Sequence, residues 1–161
     1  MRYLWLPLLL CSPLALAQET SDLSYEAYID SDKRIKCLYG YAAEKTGNHA
    51  AAMQIFGDCI ERWNDVYSMI WLAQMYESGS GMPVDLAKSA ELIRRGATQP
   101  DDAPYVSLAR YHWGAALTEG RGVPADPLEG RRWLEKSAAA GESEAISYLQ
   151  RLATDAAAPR Q

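Results

Sequence analysis

Gly79-Ser-Gly-Met-Pro-Val-Asp85 returns 41 residues later as Gly120-Arg-Gly-Val-Pro-Ala-Asp126, with both glycines, the proline and the aspartate in register. Each copy lies between stretches whose apolar residues recur at helical spacing. A fixed period of roughly 20 to 50 residues marks a solenoid, in which each unit buries its apolar face only against its neighbours. The repeated residues have mechanical parts. Gly79, Gly81, Gly120 and Gly122 allow a tight reversal with positive φ, and Asp85 and Asp126 are placed to cap the helix that follows.

Working outward, Tyr67 to Ser78 and Val84 or Leu86 to Ala97 read as one antiparallel helix pair. Gln99-Pro-Asp-Asp-Ala-Pro104 breaks the chain, and Tyr105 to Thr118 with Pro127 to Ala139 form the next pair. Upstream, Leu23, Ala27, Ile35, Leu38, Tyr39 and Ala42 fall largely at steps of three, four or seven, predicting a long first helix. Thr46-Gly47-Asn48 turns the chain into a second helix over Ala50 to Ile60. Glu142 to Ala153 predicts a capping helix after Gly141, and from Thr154 onward nothing is apolar enough to bury, so a disordered tail is expected over 154–161. The chain is therefore all-α, one domain over 18–153. A first unit spans about 23–62, two clear units 67–98 and 105–141, and the cap 142–153.

The N-terminus reads as a secretory signal peptide, residues 1–17. Arg2 is the positive start, Leu4 to Leu10 the apolar run, and Ala15-Leu-Ala17 the cleavage pattern. A membrane anchor is the weaker reading, since the run is far short of about 20 residues and is interrupted by Pro7 and Pro13. Cys11 raises a lipoprotein alternative, against which stands the bulky Leu10 before it. Export from the cytoplasm follows, with no membrane insertion after cleavage; the destination, the periplasm of a Gram-negative bacterium, is what the family resemblance drawn below implies. Removing Arg2 moves the formal net charge from -5 to -6, and an acidic chain excludes nucleic acid as the main partner. It also leaves two cysteines, Cys37 and Cys59. An even pair in an oxidising compartment suggests a disulfide, with two buried free thiols as the alternative. Centred on Gly47, the first hairpin puts both cysteines at similar height on adjacent helices, where their α-carbons could come within bridging reach of about 7 Å.

Leu72-Ala-Gln-Met-Tyr76, Gly79-x-Gly81, Asp85, Lys88-Ser-Ala90 and Ala97 resemble a Sel1-like repeat, the longer-looped relative of the tetratricopeptide repeat. Trp113-Gly-Ala-Ala-Leu117, Gly120-x-Gly122-Val123, Asp126, Trp133 and Lys136-Ser-Ala138 resemble a second copy. The hairpin from Asp32 to Ile60 departs from the pattern, lacking the second turn glycine and the aspartate, and reads as a degenerate first unit. The resemblance implies a right-handed α-solenoid whose first helices line a concave face. Projected onto it, the variable positions are Arg34, Leu38, Tyr41 and Lys45, then Tyr67, Trp71 and Gln74, then His112, Ala115 and Glu119. Tyr41, Tyr67, Trp71, Gln74, His112 and Glu119 are the candidate partner contacts. The competing reading has the segment around Tyr25 and Tyr28 folding back to bury these side chains.

Nothing in the sequence points to catalysis. His49 and His112 lack a second metal ligand at helical spacing, and Asp101-Asp102 and Glu142 with Glu144 read as solvated caps. No nucleophile elbow, phosphate loop or zinc-protease motif occurs. The expectation is a protein that is not an enzyme and takes no cofactor or metal. Ten tyrosines and five tryptophans against one phenylalanine suit surfaces that are partly apolar and partly wet. The resemblance implies a partner that is another protein. One role is a scaffold or adaptor for an envelope component; the alternative is an immunity protein against a secreted effector toxin. Cysteine-rich relatives linked to β-lactam binding or hydrolysis give a distant third reading. They carry a cysteine pair in every repeat, whereas here only the first hairpin does.

Overall fold

A computed structural model describes residues 24–157; the predicted signal peptide, with Cys11, and Leu23 lie outside the described residues. Tyr25–Tyr28 forms a single 3-10 turn, followed by α1 (Lys36–Lys45), α2 (His49–Trp63), α3 (Val66–Ser78), α4 (Leu86–Ala97), α5 (Val106–Glu119), α6 (Pro127–Ala139) and α7 (Ser143–Ala157). No strand occurs among the described residues.

Two boundaries differ from the sequence reading. The expected continuous first helix breaks before Lys36, because Asp30-Ser-Asp32 offers the backbone local side-chain bonds that compete with helix. The Ser31 hydroxyl accepts the Lys33 N–H at 3.2 Å. At the other end the tail expected from Thr154 is helical to Ala157, since Ala153, Ala156 and Ala157 extend a helix at little cost; 158–161 lie outside the described residues.

The repeated turns have the same wiring in both copies. Asp85 N–H donates to the Tyr76 carbonyl at 2.9 Å, and Asp126 N–H to that of Leu117 at 2.8 Å. The Asp85 carboxylate accepts from Lys88 N–H and the Asp126 carboxylate from Glu129 N–H, both at 3.0 Å. Each N-cap of this kind stabilises its helix by about 1 kcal/mol.

α1 packs on α2, α3 on α4 and α5 on α6, and each second helix packs on the next first helix. The first helices also touch in series, α1 with α3, α3 with α5 and α5 with α7, whereas no such contact joins α2, α4 and α6. A stack whose first helices meet and whose second helices splay is curved with α1, α3, α5 and α7 on its inside. One core lies between the two complete repeats, around Val66, Ile70, Ile93, Ala109, Trp113 and Leu117; another fills the first hairpin around Ala43, Ala52, Phe56 and Met75. Cys37 and Cys59 are buried with Ile55 in a third cluster and joined by a disulfide, their α-carbons 6.1 Å apart. The linker between repeats is held by the buried Arg110, which donates to the carbonyls of Ala97 and Gln99 and to Asp101. Asp101, solvated as the sequence reading had it at 77% exposure, also pairs across the joint with Arg110 and Lys136.

Candidate functional site: an aromatic band across the first helices

On the inner face, Tyr41 of α1 meets Trp71 of α3 with ring centroids 4.5 Å apart. Trp71 meets Tyr67 one turn earlier at 6.1 Å, and Tyr67 meets Tyr105 at the start of α5 at 5.1 Å. Four rings drawn from three successive units form one band. The i, i+4 spacing of Tyr67 and Trp71 puts both on one stripe of α3. Tyr105 is placed by its backbone: φ is 64°, in the left-handed region, uncommon for a bulky side chain. A residue held there costs on the order of 1–3 kcal/mol and persists where its surroundings over-determine it.

The band borders an apolar groove of about 280 Å³ lined by Ile35, Leu38, Tyr67, Pro104 and Tyr105, with the Arg34–Asp65 ion pair at its rim. Ile35, Leu38 and Tyr105 are 54%, 48% and 49% exposed, so water-facing apolar surface is continuous across the first helices. Asp65 is itself fixed, its second oxygen accepting from the Ser68 N–H and hydroxyl while capping α3. Burial, with the neighbouring Tyr105 and Tyr41 phenols, pushes the Tyr67 hydroxyl up to about 12, so it remains a neutral donor.

At the other end of Trp71 lies a pocket of about 200 Å³ lined by Glu44, Lys45, Trp71, Gln74, Ser78 and Ser80. Tyr41, Tyr67, Trp71 and Gln74 thus fall on one connected surface. The 3-10 turn lies against α1 and α2, with Tyr28 stacked on Tyr39 at 4.2 Å and Tyr25 packed on the first-hairpin core, and Trp71 stays partly exposed.

His112 and Glu119 belong to a separate polar network. Arg121 bridges Glu77 and Glu119 at 3.2 and 2.9 Å, and the Tyr148 hydroxyl donates to Glu119 at 2.8 Å. His112 is half-buried against Tyr111, ring centroids 4.9 Å apart. Burial lowers its pKa, with Arg121 adding to the effect and Glu77 and Glu144 opposing it. Ala115, projected onto the open face, is buried.

One group escaped the sequence reading, and His49 takes the packing role that a lone histidine most often has. Lys36 is fully buried, its ammonium ion-paired with Asp58, donating to the Ile29 carbonyl at 2.6 Å and lying 5.5 Å from the Trp63 ring centroid. His49, the first residue of α2, packs under the first repeated turn, against Gly81.

No curated protein matches the sequence. A crystal structure of a Sel1 repeat protein from Oxalobacter formigenes superposes with a TM-score of 0.64 over 79% of this chain and 95% of that one, at 22% identity, a likeness of fold. The family model for the Sel1 repeat matches residues 66–101 and 107–142, each spanning a helix pair and its Gly-x-Gly turn, and leaves the α1–α2 hairpin outside. This chain carries two Sel1 repeats, matched over α3–α4 and α5–α6, in an all-α helical solenoid behind one divergent hairpin.

Proposed function

We propose that the chain works in the periplasm as a scaffold or adaptor, holding a partner protein on the inner face of its first helices. Sel1 repeats generally mediate protein–protein interaction. The observation that carries the site is the aromatic band Tyr41–Trp71–Tyr67–Tyr105, half-open to water and spanning three units of the solenoid. Tyrosine and tryptophan supply large rigid contact area at low entropic cost and are enriched where interfaces carry most of their energy. Location rests on the signal-peptide pattern of residues 1–17 and on the Cys37–Cys59 disulfide, a bond that persists in oxidising compartments.

The test is a pull-down from periplasmic extract with the wild type, Trp71→Ala and Arg131→Ala, the last an exposed residue on α6 away from the band. The reading expects one partner retained by wild type and Arg131→Ala and lost from Trp71→Ala. Equal retention by all three removes the band from the interface. Recovery of only a secreted toxin, with rescue of cells expressing it, would replace the adaptor role with immunity.

A further inference from the structure

Lys45 occupies a place built for a cation. Its ammonium lies 4.9 Å from the Trp71 ring centroid and 5.3 Å from that of Tyr41. It also lies 2.9 Å from Glu44 Oε2. That oxygen is buried and, despite the short ion-pair distance, receives no hydrogen bond. The pocket around it opens at the C-terminal ends of both α1 and α3: Glu44 and Lys45 close the first, Ser78 the second. Both helix dipoles turn their negative ends toward this point, which favours a positive charge. Two ring faces, one under-used carboxylate and two helix C-termini converge on about 200 Å³. Lys45 is half-exposed, at the last position of its helix, and carries a long side chain free to swing away.

We propose that this pocket seats a cationic side chain from a basic segment of the partner protein, arginine by preference, and that Lys45 is a placeholder which the partner displaces. The proposal rests on the reading of the inner face as the partner surface. Arginine fits better than lysine because its planar guanidinium stacks on an indole and can offer Glu44 the aligned N–H that Lys45 does not. The acidic balance, -5 over the full chain and -6 once Arg2 is removed with the signal peptide, attracts such a segment. The stripe also sets its spacing. Leu38, at the apolar groove, and Lys45, at the cation seat, are seven positions apart on α1, about 10 Å along the helix. A peptide in the polyproline II conformation, with three residues per turn and a rise of about 3.1 Å per residue, covers that distance in about three residues and presents both ends on one face, so the motif is a bulky apolar residue three positions from arginine.

The experiment titrates the mature protein with Ac-Leu-Gly-Gly-Arg-NH2, its reversed-order analogue Ac-Arg-Gly-Gly-Leu-NH2, the glutamate counterpart Ac-Leu-Gly-Gly-Glu-NH2 and arginine amide, following the Trp71 indole N–H signal by NMR. Saturable binding of at least one arginine peptide is expected, without a response to the glutamate peptide. Lys45→Met should tighten it about fivefold by vacating the seat, and Glu44→Gln should weaken it about fivefold. No saturation by Lys45→Met at millimolar peptide, or affinities indifferent to Glu44, would overturn the proposal. Arginine amide binding as tightly as the peptides would overturn the protein-segment assignment. If the peptides fail while Trp71→Ala still releases the partner in the pull-down, the inner-face reading stands and the cation seat falls.

Discussion

Gly122 lies directly against the main-chain carbonyl of Leu86, so a β-carbon there would collide with backbone at the first residue of α4. Gly81, 41 positions earlier, faces His49, the first residue of α2, in the same way. The second glycine of each turn thus reverses the chain and also docks each unit on the preceding one. Neither obstacle gives way easily: a main-chain carbonyl cannot move without the backbone, and the nearest atom at Gly81 is the His49 Cβ, which rotation of the imidazole leaves in place. Gly122→Val should cost about 3 kcal/mol or more, adding a collision to the strain of φ 72°. Gly81→Val should cost a similar amount, since φ 74° is joined there by the collision with the His49 Cβ. Urea unfolding of both variants measures this, and losses of only about 1 kcal/mol in each would mean that φ alone sets the cost.

The turns were legible because they demand particular residues: only glycine tolerates those angles cheaply, and the demand appears twice in register. The disulfide followed from two cysteines at matching heights on one hairpin. What escaped reading depends on contacts distant in sequence. Lys36 looks like a surface lysine until α2 supplies Asp58 and the preceding loop supplies the Ile29 carbonyl. Helical projection placed His112 and Glu119 on the open face, but it cannot see that Arg121 and Tyr148 gather around that end of α5. The left-handed Tyr105 gives no local signal, since Pro104 before it fits many loops equally well.

The Cys37–Cys59 bridge closes a loop across a sequence separation of 22 and ties the helix carrying Leu38, Tyr41 and Lys45 to α2. A loop of this size stabilises by about 3 kcal/mol in the chain-entropy model. Cys37→Ser should lower stability by roughly that amount and leave Cys59 reactive to a thiol reagent after unfolding, while the untreated wild type stays inert. Reaction of the unfolded, unreduced wild type at both cysteines would show that the bond does not form.

His112 ties stability to pH in a defined direction. Its folded pKa lies below the ordinary 6.5, with burial the largest cause, so the unfolded chain takes up the proton more readily. Its contribution is therefore fully present above pH 6.5 and is lost as pH falls from there toward the lowered folded value. His112→Gln should flatten the stability profile across that window and leave it unchanged near pH 8. The same slope in the variant would assign the acid sensitivity to other groups.

Tyr105 places binding and stability in opposition. Its ring, at 49% exposure, gains little from burial, while its backbone at φ 64° is strained for any residue but glycine, asparagine or aspartate. Tyr105→Asn keeps the left-handed angle at lower cost, so it should hold or raise stability by up to about 1 kcal/mol. Removing the ring also uncovers Tyr67 and takes away a neighbouring phenol, so the Tyr67 hydroxyl should titrate below about 12, moving toward the ordinary 10.0. Ultraviolet titration reads that shift, and the pull-down reads the weakened partner. A variant that loses stability yet binds as before would mean that the strained tyrosine serves the fold and has no part in the interface.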